Sequence, residues 1–101
     1  MIKAYFKRDN NVITSIKIEG HAMYDEYGKD IVCAGVSASL IVTVNAILKF
    51  DKEAIKYENN GIFTLENIKK DDVTNNLLDN LLDSLKKIAS TYKDNIIVKE
   101  D

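Results

Sequence analysis

The chain contains one histidine, His21, and one cysteine, Cys33, twelve positions apart within the stretch GHAMYDEYGKDIVCAGVSA. A thiol attacks a carbonyl as the thiolate, and both a helix N-terminus and a protonated imidazole favour that negative charge. Cys33 stands where a helix is expected to begin. With Asp30 as the N-cap, it is the third helical residue, inside the first turn, whose free N–H groups can also stabilise the oxyanion of a tetrahedral intermediate. His21 follows an expected strand and Gly20, and a bend there can swing its imidazole over the helix start, to act as base and then as acid. The group that orients the imidazole is Asp30 or Asp25. Asp30 ranks first, although capping would occupy it and its charge would oppose the thiolate if it pointed at Cys33.

The residues after the cysteine are small: Ala34, Gly35, Ser37 and Ala38. They let a substrate backbone come close to the first-turn amides. Gly35 is the most telling, because glycine inside a helix costs about 1 kcal/mol relative to alanine. Its presence suggests close approach by another backbone, a strand or a substrate, with packing as the alternative. Ser37 lies one turn beyond Cys33 on the same face and either packs there or hydrogen-bonds within the site, with packing favoured.

Two other readings of the pair stay open. A free cysteine is among the most buried residue types, so Cys33 can be a core thiol in a non-catalytic binding module. Cys33, His21, Asp25 and Asp30 can also be arranged around zinc, but neither a CxxC pair nor a second histidine supports it. Walker, dinucleotide and GxSxG patterns are absent, so nothing points to a nucleotide or a serine nucleophile, and no metal or cofactor is expected.

These residues need elements to position them. Ile2, Ala4 and Phe6 alternate over residues 2–8, and Val12, Thr14, Ile16 and Ile18 alternate after the Asn10-Asn11 turn signal, which predicts a hairpin. Residues 20–30 break both periods and carry Asp25, Glu26, Lys29 and Asp30, the pattern of a loop. From Ile31 to about Phe50, Val32, Val36, Leu40, Val44, Ile47 and Leu48 recur at helical spacing. Residues 53–66 form a second hairpin about Asn59-Asn60-Gly61. Behind the acidic start Asp71-Asp72, a second helix follows with Val73, Leu77, Leu81, Leu85, Ile88 and Tyr92 as its stripe, widened by Leu78, Leu82 and Ala89. Residues 95–99 close as a strand. The order ββαββαβ is that of an α+β fold, a two-layer sandwich with two helices on a five-stranded, mostly antiparallel sheet.

At 101 residues the chain is expected to form a single domain, residues 1–101, around one core. No apolar run is expected to reach the roughly 20 residues of a membrane span, so no membrane partner is foreseen. The start lacks the pattern of a signal peptide, and one cysteine cannot form an internal disulfide, so a cytoplasmic thiol protein is the expectation. Fourteen basic and sixteen acidic side chains give a net charge of −2, which offers no general attraction to a phosphate backbone; direct nucleic-acid binding is not expected.

Gly20 and His21, a charged loop, then Asp30, Ile31, Val32, Cys33, Ala34, Gly35, Val36 and Ser37 opening a helix resemble the ribosomal-processing cysteine protease family, called Prp, of Firmicutes and related bacteria. The element order and length agree, so the resemblance spans the chain. It implies that Cys33 is the nucleophile and His21 its base, in a homodimeric protease that removes the N-terminal extension of a large-subunit ribosomal protein before ribosome assembly. Cleavage after paired aromatic residues, also implied, requires an apolar pocket near Cys33. Gly20, Asp25, Glu26, Ala34, Gly35 and Ser37 are then expected at the substrate. Asp25 departs from the pattern, since many members are expected to carry a small residue there. Together with Glu26 and Asp30 it suggests a gate whose acidic face attracts the basic body of a ribosomal protein.

Overall fold

The computed structural model describes residues 1–20 and 29–101, with side chains at 29 and 30 left out. The elements run β1 (Ile2–Asp9), β2 (Val12–Glu19), α1 (Lys29–Phe50), β3 (Ile55–Asn59), β4 (Phe63–Asn67), α2 (Asp72–Thr91) and β5 (Ile96–Glu100), the expected order ββαββαβ. The sheet order is β3-β4-β2-β1-β5. β1 pairs β5 in parallel, and the other neighbours pair antiparallel. Both helices cover one face, with Phe6, Ile16, Val32, Ile47, Leu82 and Leu85 among the fully buried side chains between the layers. Burying an aliphatic or aromatic side chain of this size stabilises the fold by about 1.5–3 kcal/mol.

Asn10 and Asn11 both adopt positive φ, 52° and 68°, the backbone that a twisted two-residue hairpin requires. The inward set of β2 differs from the expectation. The β1–β2 register shifts between Lys7 and Arg8, so that Lys7 faces Ser15 but Arg8 faces Ile13. Thr14 is the extra residue, its Oγ1 donating to the Lys7 carbonyl at 3.2 Å, and Ile13 takes the core position instead of Val12 and Thr14. A bulge adds one residue to a strand and thereby exchanges its faces.

α2 begins on Asp71, whose Oδ1 accepts from the Thr74 amide at 2.8 Å. Its buried stripe is Thr74, Leu78, Leu81, Leu82 and Leu85, while Val73 is exposed. The expected stripe is thus rotated toward its widening residues. Asn67, at the end of β4, is buried and ties three elements together. Its Nδ2 donates to the Ile13 carbonyl at 2.9 Å and to Asn75 Oδ1 at 3.0 Å, and its Oδ1 accepts from the Lys70 amide at 3.0 Å.

α1 corrects two expectations. It starts at Lys29, so Asp30 is not its N-cap but lies within the first turn, where an acidic residue is equally suited to the positive end of the helix. Cys33 is consequently the fifth helical residue, beyond the amides that a helix leaves free. In addition, Ile31–Phe50 is a 20-residue apolar run with mean hydropathy 2.2, long and apolar enough to cross a membrane by length and composition. Here its inner side, Val32, Val36, Leu40, Val44 and Ile47, belongs to the core. Its outer side leaves Ile31 and Val42 exposed.

Candidate active site

β2 ends at Glu19, and Gly20 turns the chain away with φ +88°. A Cβ at Gly20 would collide with the backbone oxygen of Met1, so both the dihedral and the close passage of β1 require glycine. Gly20 and Cys33 line the same cavity, about 180 Å³, together with Ser37, Asn59, Gly61 and Phe63. Cys33 is free and half-buried, packed against the core on one side. A thiol so placed is reachable from the cavity and held by the helix.

Beside this cavity along α1 lies a second hollow of about 340 Å³, whose lining adds Ile41, Val44, Asn45 and Tyr57. Ser37, Leu40, Asn59 and Phe63 line both. The Tyr57 and Phe63 rings lie 6.4 Å apart at 32°, a spacing that favours ring contact. Among the described residues no charged side chain lines either space. The two adjoining spaces form a cleft, with Cys33 at one end and an apolar floor at the other. A larger hollow of about 400 Å³ lies on the opposite, open face of the sheet among Ser15, Lys17, Lys56 and Glu66, away from Cys33.

The expected site residues separate into three groups. Cys33, Gly20 and Ser37 come together at the cavity. Ser37 is exposed there. Ala34 is also exposed, while Gly35 turns toward α2. A Cβ on Gly35 would meet Ile88 Cδ1 at 3.5 Å, an ordinary van der Waals contact, so among the described residues no backbone passes close enough to require glycine. His21, Asp25 and Glu26, and the side chain of Asp30, lie outside the described residues, and so does most of the zinc set considered above. Among the described residues no group of three metal-ligating side chains occurs.

Tyr57, Asn59, Gly61 and Phe63 are among the cleft residues that the sequence did not point to, as are Ile41 and Asn45 of α1. The first four come from one place. They belong to the second hairpin, and only the sheet order brings them beside α1. The one signal available was Asn59-Asn60-Gly61, which marked the turn without its destination.

A family model for cysteine protease Prp matches residues 1–97. The chain belongs to the cysteine protease Prp family. A ribosomal processing cysteine protease Prp of Staphylococcus aureus (strain Mu50 / ATCC 700699) is 39% identical over 92 residues, 87% of each chain. Two crystal structures of an essential ribosomal processing protease Prp from S. aureus share the fold over 100% of both chains. The complex with a substrate peptide matches with TM-score 0.91 and 31% identity, and the complex with a covalently linked product peptide with TM-score 0.89 and 33% identity. As a Prp, this chain is a cysteine protease, and the two-layer ββαββαβ fold expected from its sequence is the Prp fold.

Proposed function

We propose that this protease removes the N-terminal extension of a large-subunit ribosomal protein before ribosome assembly, with Cys33 as nucleophile and His21 as general base and acid. The observation that carries the reading is that a cysteine protease with one cysteine has one candidate nucleophile, and that residue opens onto a peptide-sized cleft, uncharged among the described residues. The names of the S. aureus relatives, which describe ribosomal processing, supply the substrate class.

In the proposed mechanism, the Cys33 thiolate attacks the scissile carbonyl and a tetrahedral intermediate forms. His21 gives its proton to the leaving amine, and the acyl-enzyme remains. His21 then takes a proton from water, the hydroxide displaces Sγ, and the carboxylate product leaves. Gly20, which precedes His21 in the chain, lines the Cys33 cavity, and this adjacency supports the assignment. Asp30 is the proposed orienting group. The free amides before Cys33 at the start of α1 are suited to the oxyanion.

The protease is further proposed to act in the cytoplasm as a homodimer, without binding nucleic acid. An outer α1 face bearing Ile31 and Val42, with no charged residue from 31 to 48, supports self-association. Mass spectrometry of a synthetic ribosomal-protein extension containing paired aromatics tests the function. A single cut by the wild type, lost with Cys33→Ala and His21→Ala, is expected. An uncut peptide under reducing conditions would exclude this substrate class.

A further inference from the structure

Resting on that reading, we infer that the hollow between α1 and β3 is a remote specificity site, which receives a large uncharged side chain three or four residues from the scissile bond. Cys33, Ser37, Ile41 and Val44 follow one another at helical spacing along one side of α1, and residues so spaced share a face. From Cys33 to Ile41 the helix rises about 12 Å, at 1.5 Å per residue. An extended peptide advances about 3.3 Å per residue. A substrate whose carbonyl sits at Sγ therefore reaches the middle of the hollow after three or four residues.

The two spaces adjoin. Ser37, Leu40, Asn59 and Phe63 line both, so the far space lies directly beside the one that holds Cys33. The far space is the larger, about 340 Å³ against about 180 Å³, and Ile41, Val44, Tyr57 and Phe63 give it an apolar surface. Asn45 and Asn59 offer amides, which bond to a peptide backbone without favouring a charge. A lysine or aspartate entering there would lose hydration with no opposite charge among the described residues to replace it. The site accordingly discriminates by apolar bulk and by exclusion of charge, at a distance from the chemistry.

The test is a cleavable parent peptide, varied one position at a time over about five residues on each side of the cut, with kcat/KM read by mass spectrometry. Aspartate replacing an apolar residue three or four positions away, on one side of the bond, is expected to lower kcat/KM at least about tenfold. Tyr57→Ala and Ile41→Asn change exposed side chains of the hollow, and circular dichroism checks their fold. Both variants should cut the parent peptide more slowly and show a smaller penalty for the remote aspartate. If the wild type cuts all remote aspartate peptides at the parent rate, or the variants keep the full penalty, the specificity site is excluded while the protease reading stands. A parent peptide that is never cut overturns both.

Discussion

Gly20 and Cys33 line one cavity although thirteen positions separate them in the chain. Gly20 holds φ +88° beside the backbone of Met1, so the end of β2 can pass β1 and still face the nucleophile. Gly20→Ala combines the cost of a left-handed residue, about 1–2 kcal/mol, with a collision against the main chain. We expect a lower Tm and a loss of kcat/KM greater than the fraction unfolded explains, because the segment leading to His21 is displaced. A variant with wild-type kcat/KM per folded molecule would contradict this coupling.

Gly35→Ala should do the opposite to stability. The new Cβ makes an ordinary contact with Ile88 Cδ1 at 3.5 Å, and alanine is better than glycine inside a helix by about 0.5–1 kcal/mol. A urea midpoint that rises at unchanged slope is the expected result. A fall in midpoint would mean that α1 and α2 are too closely packed to accept a methyl group.

Thr74 is fully buried, and its Oγ1 has no hydrogen-bond partner among the described residues. Valine has nearly the same shape without the hydroxyl, so Thr74→Val removes a desolvated polar atom and leaves the Asp71 cap, which uses the Thr74 amide. A gain of about 1 kcal/mol is expected, corresponding to a Tm rise of about 4–8 °C for a domain of this size. Calorimetry showing no rise would imply a hidden partner for Oγ1.

The element order was legible because each element carries a period: alternation in β1 and β4, helical stripes in α1 and α2, positive-φ residues in both hairpin turns. Cys33 was legible as chemistry because it is the only thiol and opens a helix. What was hidden depends on geometry across the sheet. The bulge that turns Ile13 inward arises from pairing between β1 and β2, not from either strand alone. Asn67 reads as a surface residue until three backbone or side-chain partners enclose it. Tyr57 and Phe63 read as strand residues and become cleft residues only because β4 pairs β2, bringing the hairpin against α1. The α1 start was missed by treating Asp30 as a cap, when an acidic side chain is also favourable within the first turn.

Acid should weaken the junction of β5 with α2. Lys86 Nζ lies 2.6 Å from Glu100 Oε2, and Arg8 Nε lies 3.4 Å from Oε1 while its Nη2 reaches Asp79 at 3.0 Å. The Lys86 hydrogen bond, opposed by desolvation and reinforced by Arg8, holds the Glu100 carboxyl below its ordinary value of 4.5. A carboxyl with a lowered folded pKa stabilises the fold above 4.5, and that contribution disappears as pH falls through the lowered value. Glu100→Gln should therefore be less stable than wild type near neutrality, and the difference should shrink on acidification below 4.5. The groups are partly exposed, so the effect is modest and salt-sensitive. A stability difference independent of pH would remove Glu100 from the acid response.

Asp25 and Glu26 give the chain two adjacent carboxylates ahead of Cys33 in sequence, and the cleft itself is uncharged among the described residues. Attraction of a basic protein substrate is therefore expected to depend on these two carboxylates. The Asp25→Asn, Glu26→Gln variant is expected to lower kcat/KM several-fold toward an intact ribosomal protein in low salt. At about 0.5 M salt, where screening acts within a few ångströms, the variant and wild type should converge. Toward a short uncharged peptide the two enzymes should already agree in low salt, since steering has no charge to act on. Equal rates on the intact protein at low salt would show that capture does not depend on these carboxylates.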